Sequence, residues 1–242
     1  VSPILAPVLD GIQGSAASKS VAFNWAYGSI NSVANSGVTT INVGTTNPAG
    51  SAGPVAATDK LIAVVVVSMT IGTDPGVITV TGFTMFSEVW NATFKTRTWL
   101  GYRDSSNGLV GGETVSYAAS WTNASRGASW GIANYGNAAT GSPVNTQQDN
   151  AAFSTNMTSP SINATTASDR LICTVSEFGG NPPYAGPAPM NTRFNVGTNS
   201  SDRPEIIIAD QQLSATGATG TRTSTAGGSV QSQGNSLVLT PA

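Results

Sequence analysis

Histidine is absent from the 242 residues, and cysteine occurs once, at Cys173. Without histidine there is no Ser-His-Asp triad, no Cys-His pair and no imidazole metal ligand. A single thiol builds neither a zinc site nor an internal disulfide. Cys173 sits inside "RLICTVS" and is expected as a small buried residue on a strand. Acid–base chemistry is left to twelve Asp and Glu residues. Two carboxyl groups about 5–9 Å apart suffice for glycoside hydrolysis, and Glu88, Glu113, Glu177 and Glu205 are the candidates. The sequence does not place any two of them at that separation. "RDSSNG" at 103–108 lacks the alternating ligands and the distal Glu of a calcium loop, so it reads as a tight turn. No catalytic, metal-binding or cofactor-binding residue is therefore assigned, and no enzymatic activity is expected.

Aromatic residues offer a second kind of chemistry. Trp90, Trp99, Trp121 and Trp130 cluster in the first half, with Trp25 upstream, and the second half has no tryptophan. If their indoles are exposed they form a stacking face for sugar rings; otherwise they fill a core. Solvent exposure separates the two readings. Five Asn-x-Ser/Thr sequons, at Asn91, Asn123, Asn156, Asn163 and Asn199, are what a chain rich in Asn, Ser and Thr contains by composition.

Charge narrows the partners. Charged residues make up 9% of the chain and the net charge is −2, against about 25% charged in ordinary soluble domains. Ten scattered Lys and Arg do not make the clustered cations of a nucleic-acid groove. No apolar stretch approaches the ~20 residues of a membrane-spanning helix. The opening "VSPILAPVLDGIQGSAASK" has no cationic region and two early prolines, so it is not read as a secretory signal.

The elements that must position these residues are strands. Runs rich in Val, Ile, Thr and aromatics, bounded by Gly, Pro, Asn and Ser, predict strands near 20–27, 38–43, 60–69, 76–81, 84–90, 94–103, 113–120, 127–135, 159–165, 169–177, 192–197, 204–211, 221–225 and 235–240. No window carries a capped helical period. "LIAVVVVSM" is continuously apolar and is expected to be buried on both faces, whereas "ETVSYAASW" alternates, with Val115, Tyr117 and Ala119 on one face.

The chain repeats itself. "ATDKLIAVVVVS" at 57–68 answers "ASDRLICTVSEF" at 167–178, and further matching segments follow each in the same order. The expected architecture is all-β: an antiparallel sandwich over 57–242 made of two related halves, 57–137 and 167–242. One sandwich shared by both halves is preferred, because a half with a single long apolar strand has little with which to close a core. Each repeated phrase marks a central strand, entered through a turn held by Asp59 or Asp169. Val64, Val66, Ile172 and Val175 are expected in the core. Residues 1–56 lie outside the repeat, as an arm and leading strands. In the arm Ile4, Leu5, Val8, Leu9 and Ile12 lie on a path broken by Pro3 and Pro7. That apolar surface is expected to be covered, in part by another chain.

Ala133, Tyr135 and Gly136, then Ser142, Pro143, Val144 and Asn145, then "GATGTR" at 217–222 closing on Leu237, Val238 and Leu239, form a pattern. It resembles all-β domains of bacteriophage structural proteins, such as minor tail and capsid-surface proteins, and of bacterial surface proteins. The resemblance covers roughly residues 55–242; "PMNTRFNV" departs from it in lacking the usual Gly before Met. It implies a jelly-roll-like sandwich and a non-enzymatic structural role, as capsid decoration or tail component on a phage particle. The implied partners are other virion proteins and further copies of the chain. The alternative it leaves is an adhesin or lectin-like domain on a bacterial surface, binding a host-surface glycan.

Overall fold

The computed structural model describes residues 19–31, 38–43, 55–69, 72–112, 117–149, 153–178, 184–196 and 204–242. The strands of the first half are β1 (Ala22–Asn31), β2 (Val38–Val43), β3 (Lys60–Ser68), β4 (Thr79–Val80), β5 (Thr84–Asn91), β6 (Thr96–Arg103), β7 (Tyr117–Ser125) and β8 (Gly127–Gly136). Those of the second are β9 (Val144–Asp149), β10 (Ser154–Ser159), β11 (Asn163–Ala164), β12 (Arg170–Phe178), β13 (Asn191–Val196), β14 (Pro204–Gln212), β15 (Gly217–Ala218) and β16 (Arg222–Leu239).

In the first half β1 pairs with β8, β2 with β7 and β3 with β6, all antiparallel. The sheets run β1-β8-β3-β6-β5 and β2-β7-β4. These nested antiparallel pairs wrap the half into a roll of two sheets, with β5 at the edge beside β6. The second half repeats the order. β12 lies between β16 and β14, β13 follows β14, and β9 pairs the end of β16. The single strand β16 does the work of β7 and β8 together. Its first part pairs β10 and bridges Ala185 at Thr225, and its last part pairs β12 and β9.

The irregularities repeat too. β5 is bulged between Met85 and Ser87, and β13 at the matching place, between Thr192 and Phe194. A register jump between Val38 and Thr40 on β2 matches one between Ser154 and Asn156 on β10. Bulges are features of a particular sheet geometry, so their coincidence carries the duplication further than the sequence does.

Each half closes its own core. Leu61, Ala63, Val65 and Val67 of β3 pack with Trp99, Trp130, Ile132, Ile41, Val80 and Trp121. Leu171 and Cys173 of β12 cluster with Ile162, Met190 and Val238, and Val175 clusters with Met157, Ile207 and Val230. In this second roll β10 runs close under β16, and only glycine fits at Gly234: a Cβ there would lie 1.8 Å from the Thr158 carbonyl oxygen.

A third core lies between the halves. Ile62, Val64, Val66, Leu100 and Tyr102 meet Ile172, Ile206, Ile208, Leu237 and Leu239 across a seam where the two large sheets stack face to face. The sheet β2-β7-β4 packs on the other face of the first large sheet, and β10 packs beneath the second half's sheet, to which it is joined through β16. Every residue of β3 is buried, which accounts for its unbroken apolar run. Val64, Val66, Ile172 and Val175 are at most 2% exposed, as expected.

The two large sheets, one from each half, pack on each other as a sandwich, and the short strands carrying Ile41, Val80 and Met157 add further core within each half. In pairing order β1 and β2, which precede residue 57, correspond to β9 and β10.

Candidate functional site

The repeated Asp-basic phrase is a fastener. Asp59 accepts from Ala56 N at 2.8 Å, and Asp169 from Thr166 N at 2.9 Å at the matching place, so each carboxylate closes the turn before a central strand. Asp59 also takes Asn134 Nδ2 at 2.9 Å, pinning the neighbouring β8.

The basic residues reach further than turn chemistry predicts. Lys60 Nζ donates to the Gly141 carbonyl at 2.6 Å, in the connection that leads into β9. Arg170 Nε donates to the Val21 carbonyl at 2.8 Å, just ahead of β1. Each central strand thus grips the chain where it enters the other roll. Both cations are neutralised on the spot. Lys60 lies 3.1 Å from Asp104, with both side chains almost fully buried. Arg170 and Arg193 both bind the buried Asp210, at 2.9 Å each. Burial pulls the Lys60 ammonium below its ordinary pKa, against the opposing pull of Asp104. Burial works to raise the Asp104 carboxyl, but hydrogen bonds from Ser106, Lys60 and Gly141 outweigh it and hold the group below the usual range.

Asp104 belongs to "RDSSNG", and the tight-turn reading holds. It caps the 3-10 turn Ser105–Asn107, accepting from Ser106 N at 2.9 Å while Asn107 Oδ1 accepts from Asp104 N at 2.7 Å. Gly108 closes the turn at φ 95°. Both Asp104 oxygens are engaged. Beside this clasp Lys60, Thr140, Ser142, Pro143 and Val144 line a cavity of about 60 Å³. It suits water rather than a sugar or a nucleotide, whose sites run to about 300 Å³ and more.

The carboxylate candidates divide. Glu88 is an ion-pair member, 3.0 Å from Arg97, and accepts from Ile78 N at 2.7 Å. Glu113 lies outside the described residues. Glu177 and Glu205 stand directly opposite each other on β12 and β14, a juxtaposition the sequence did not reveal. They are 4% and 2% exposed, and the Tyr184 hydroxyl donates to Glu177 at 2.7 Å. Desolvation, then the two glutamates, raise the Tyr184 phenol well above its ordinary pKa. A carboxylate pair so covered is closed to a polysaccharide.

The tryptophans lie mostly inside. Trp99, Trp121 and Trp130 are buried in the first roll's core at 1%, 6% and 5% exposure, and Trp90 is half-buried. Tyr27 packs edge-on to Trp130, and Phe83 to Trp99. These rings fill the space between sheets and present no common stacking face. The arm residues Ile4, Leu5, Val8, Leu9 and Ile12 lie outside the described residues.

The remaining polar contacts hold the rolls together. The Thr98 and Ser176 hydroxyls meet across the seam at 2.9 Å, and Ser129 donates to the Pro204 carbonyl. Ser87 of β5 donates to Gln147 of β9 at 2.9 Å on one rim. On the other rim Arg193 of β13 lies 4.0 Å over the ring of Phe23 in β1. The two rim links couple strand pairs that correspond in the duplication, β5 with β9 and β13 with β1, so the rims are related by an approximate two-fold. No protein-family model, no curated protein and no solved structure matches the chain.

Proposed function

We propose that this chain is a non-enzymatic structural protein of a bacteriophage particle, serving as capsid decoration or as a tail component. The observation that carries the reading is where the charged groups go. Asp59, Lys60, Asp104, Asp169 and Asp210 are all at most 5% exposed and are used as fasteners inside and between two rolls. A chain with 9% charged residues that buries several of them presents a nearly neutral exterior of hydroxyl and amide groups. Such a surface makes hydrogen-bonded, hydrated contacts with neighbouring subunits rather than salt-dependent ones. The clasped double roll supplies a stiff block, as a lattice or tube requires. The resemblance of residues 55–242 to phage structural and bacterial surface domains points the same way.

Particle fractionation tests the proposal. Intact phage particles should carry the chain at a fixed ratio to the major capsid or tail subunit, with density for two stacked jelly rolls on the surface. Wash-through of the chain, or a ratio that varies between preparations, overturns it.

A further inference from the structure

We infer that the seam between the two rolls binds buried water, held by the Thr174 hydroxyl and the Asn235 carboxamide and reached from the rim beside Gln147. Thr174 lies between Ile172, in the seam core, and Ser176, bonded across the seam, so it faces the other roll. Asn235 is two residues from Leu237, also in the seam core, and faces the same way. The two stand directly opposite each other on β12 and β16, and each is 1% exposed.

Three polar atoms in this row, Thr174 Oγ1 and Asn235 Nδ2 and Oδ1, meet no hydrogen-bond partner among the described residues. Buried polar atoms are rarely left so, and a bridging water is the usual remedy. The donor set suits one: Asn235 Nδ2 donates to it, Asn235 Oδ1 accepts from it, and the Thr174 hydroxyl does either. Directly opposed Cβ atoms stand about 4.5–5.5 Å apart, which leaves their polar ends within reach of one shared molecule.

The flanking rows are of other kinds. On one side Ile62, Ile172 and Leu237 are apolar, and on the other Thr98 and Ser176 satisfy each other directly. The first roll has Val64 and Gly131 at the corresponding places, neither with a polar side-chain atom. The row also continues outward. Gln147 of β9 is the register partner of Asn235, and its exposed side chain meets Ser87 at the rim. A polar line therefore runs from solvent into the interface, beside the apolar row of Ile172 and Leu237.

The test is magnetisation transfer from water to the side-chain amide of Asn235 in the full-length chain. A contact with long-lived water is expected, retained in Thr174→Ser and weakened at least two-fold in Thr174→Val, which carries the first roll's own residue. Absence of the contact in the unsubstituted chain overturns the inference. So does an undiminished contact in Thr174→Val, because the hydroxyl then holds nothing. Should Thr174→Val fail to fold, a crystal structure of the unsubstituted chain decides: density for water between the two side chains supports the site, and a direct Thr174–Asn235 hydrogen bond refutes it.

Discussion

Truncating Ile208 to alanine measures how strongly the two rolls depend on each other. Ile208 is fully buried in the seam core. Its Cδ1 reaches over Gly131 of the opposite roll, 3.0 Å from where a Cβ on that glycine would stand. The substitution removes three carbons, worth about 0.8 kcal/mol each or about 2.4 kcal/mol in transfer. The cavity left between two rigid sheets raises this to about 3–4 kcal/mol, within the roughly 2–5 kcal/mol range of such truncations. For a chain of this size that corresponds to a fall in Tm of about 6–16 °C. All five tryptophans belong to the first roll, whereas Ile208 belongs to the second. Tryptophan fluorescence therefore reports on the roll that was not altered, and far-ultraviolet circular dichroism on both. Coupled rolls predict that both signals shift together. A fluorescence transition that stays in place while circular dichroism splits into two steps refutes the seam as the source of cooperativity.

Lys60→Met leaves Asp104 buried without its cation and should destabilise the chain by about 3–5 kcal/mol in denaturant titration; a change below about 1 kcal/mol contradicts the clasp. Because the folded-state pKa of Asp104 is depressed, its contribution is present above the ordinary carboxyl pKa of about 3.9 and is lost as pH falls through the lower folded value. Acid titration of Tm should show this loss below about pH 4 in the unsubstituted chain and a smaller one in Asp104→Asn. The Cys173 thiol is 1% exposed, and burial pushes its pKa up to about 11, so a thiol reagent at neutral pH should label it only after unfolding. Rapid labelling of the native chain would remove it from the second roll's core. Deleting residues 1–14 should leave both rolls folded, by circular dichroism, and weaken incorporation into particles; equal incorporation argues against an assembly arm.

How much of this was legible depends on how local the signal is. β3 and β12 stand out because strands buried on both faces need apolar residues at nearly every position, and "LIAVVVV" and "LICTV" supply them. The duplication shows at Asp59 and Asp169 because a turn closed by its own carboxylate is written within four residues. β9, "VNTQQD", and most of β10, "STNMTS", fall outside the strands predicted from sequence, and the run predicted at 159–165 covers β11 and the last residue of β10. β9 and β10 are both pairing partners of β16 whose residues are mainly polar, so they carry neither a continuous run nor a clean alternation.

The sequence by itself determined an all-β chain, its two central strands, its internal repeat and the exclusion of histidine chemistry, because composition and short periodicity suffice for each. Only the tertiary structure decided that each half closes into its own roll and that the two large sheets stack into a seam. It alone placed Trp99, Trp121 and Trp130 inside, set Glu177 against Glu205, and turned Lys60 and Arg170 into cross-roll clasps. Those outcomes rest on register between strands far apart in the chain. A shift of one residue would send every side chain to the opposite face, and no local pattern records which register wins.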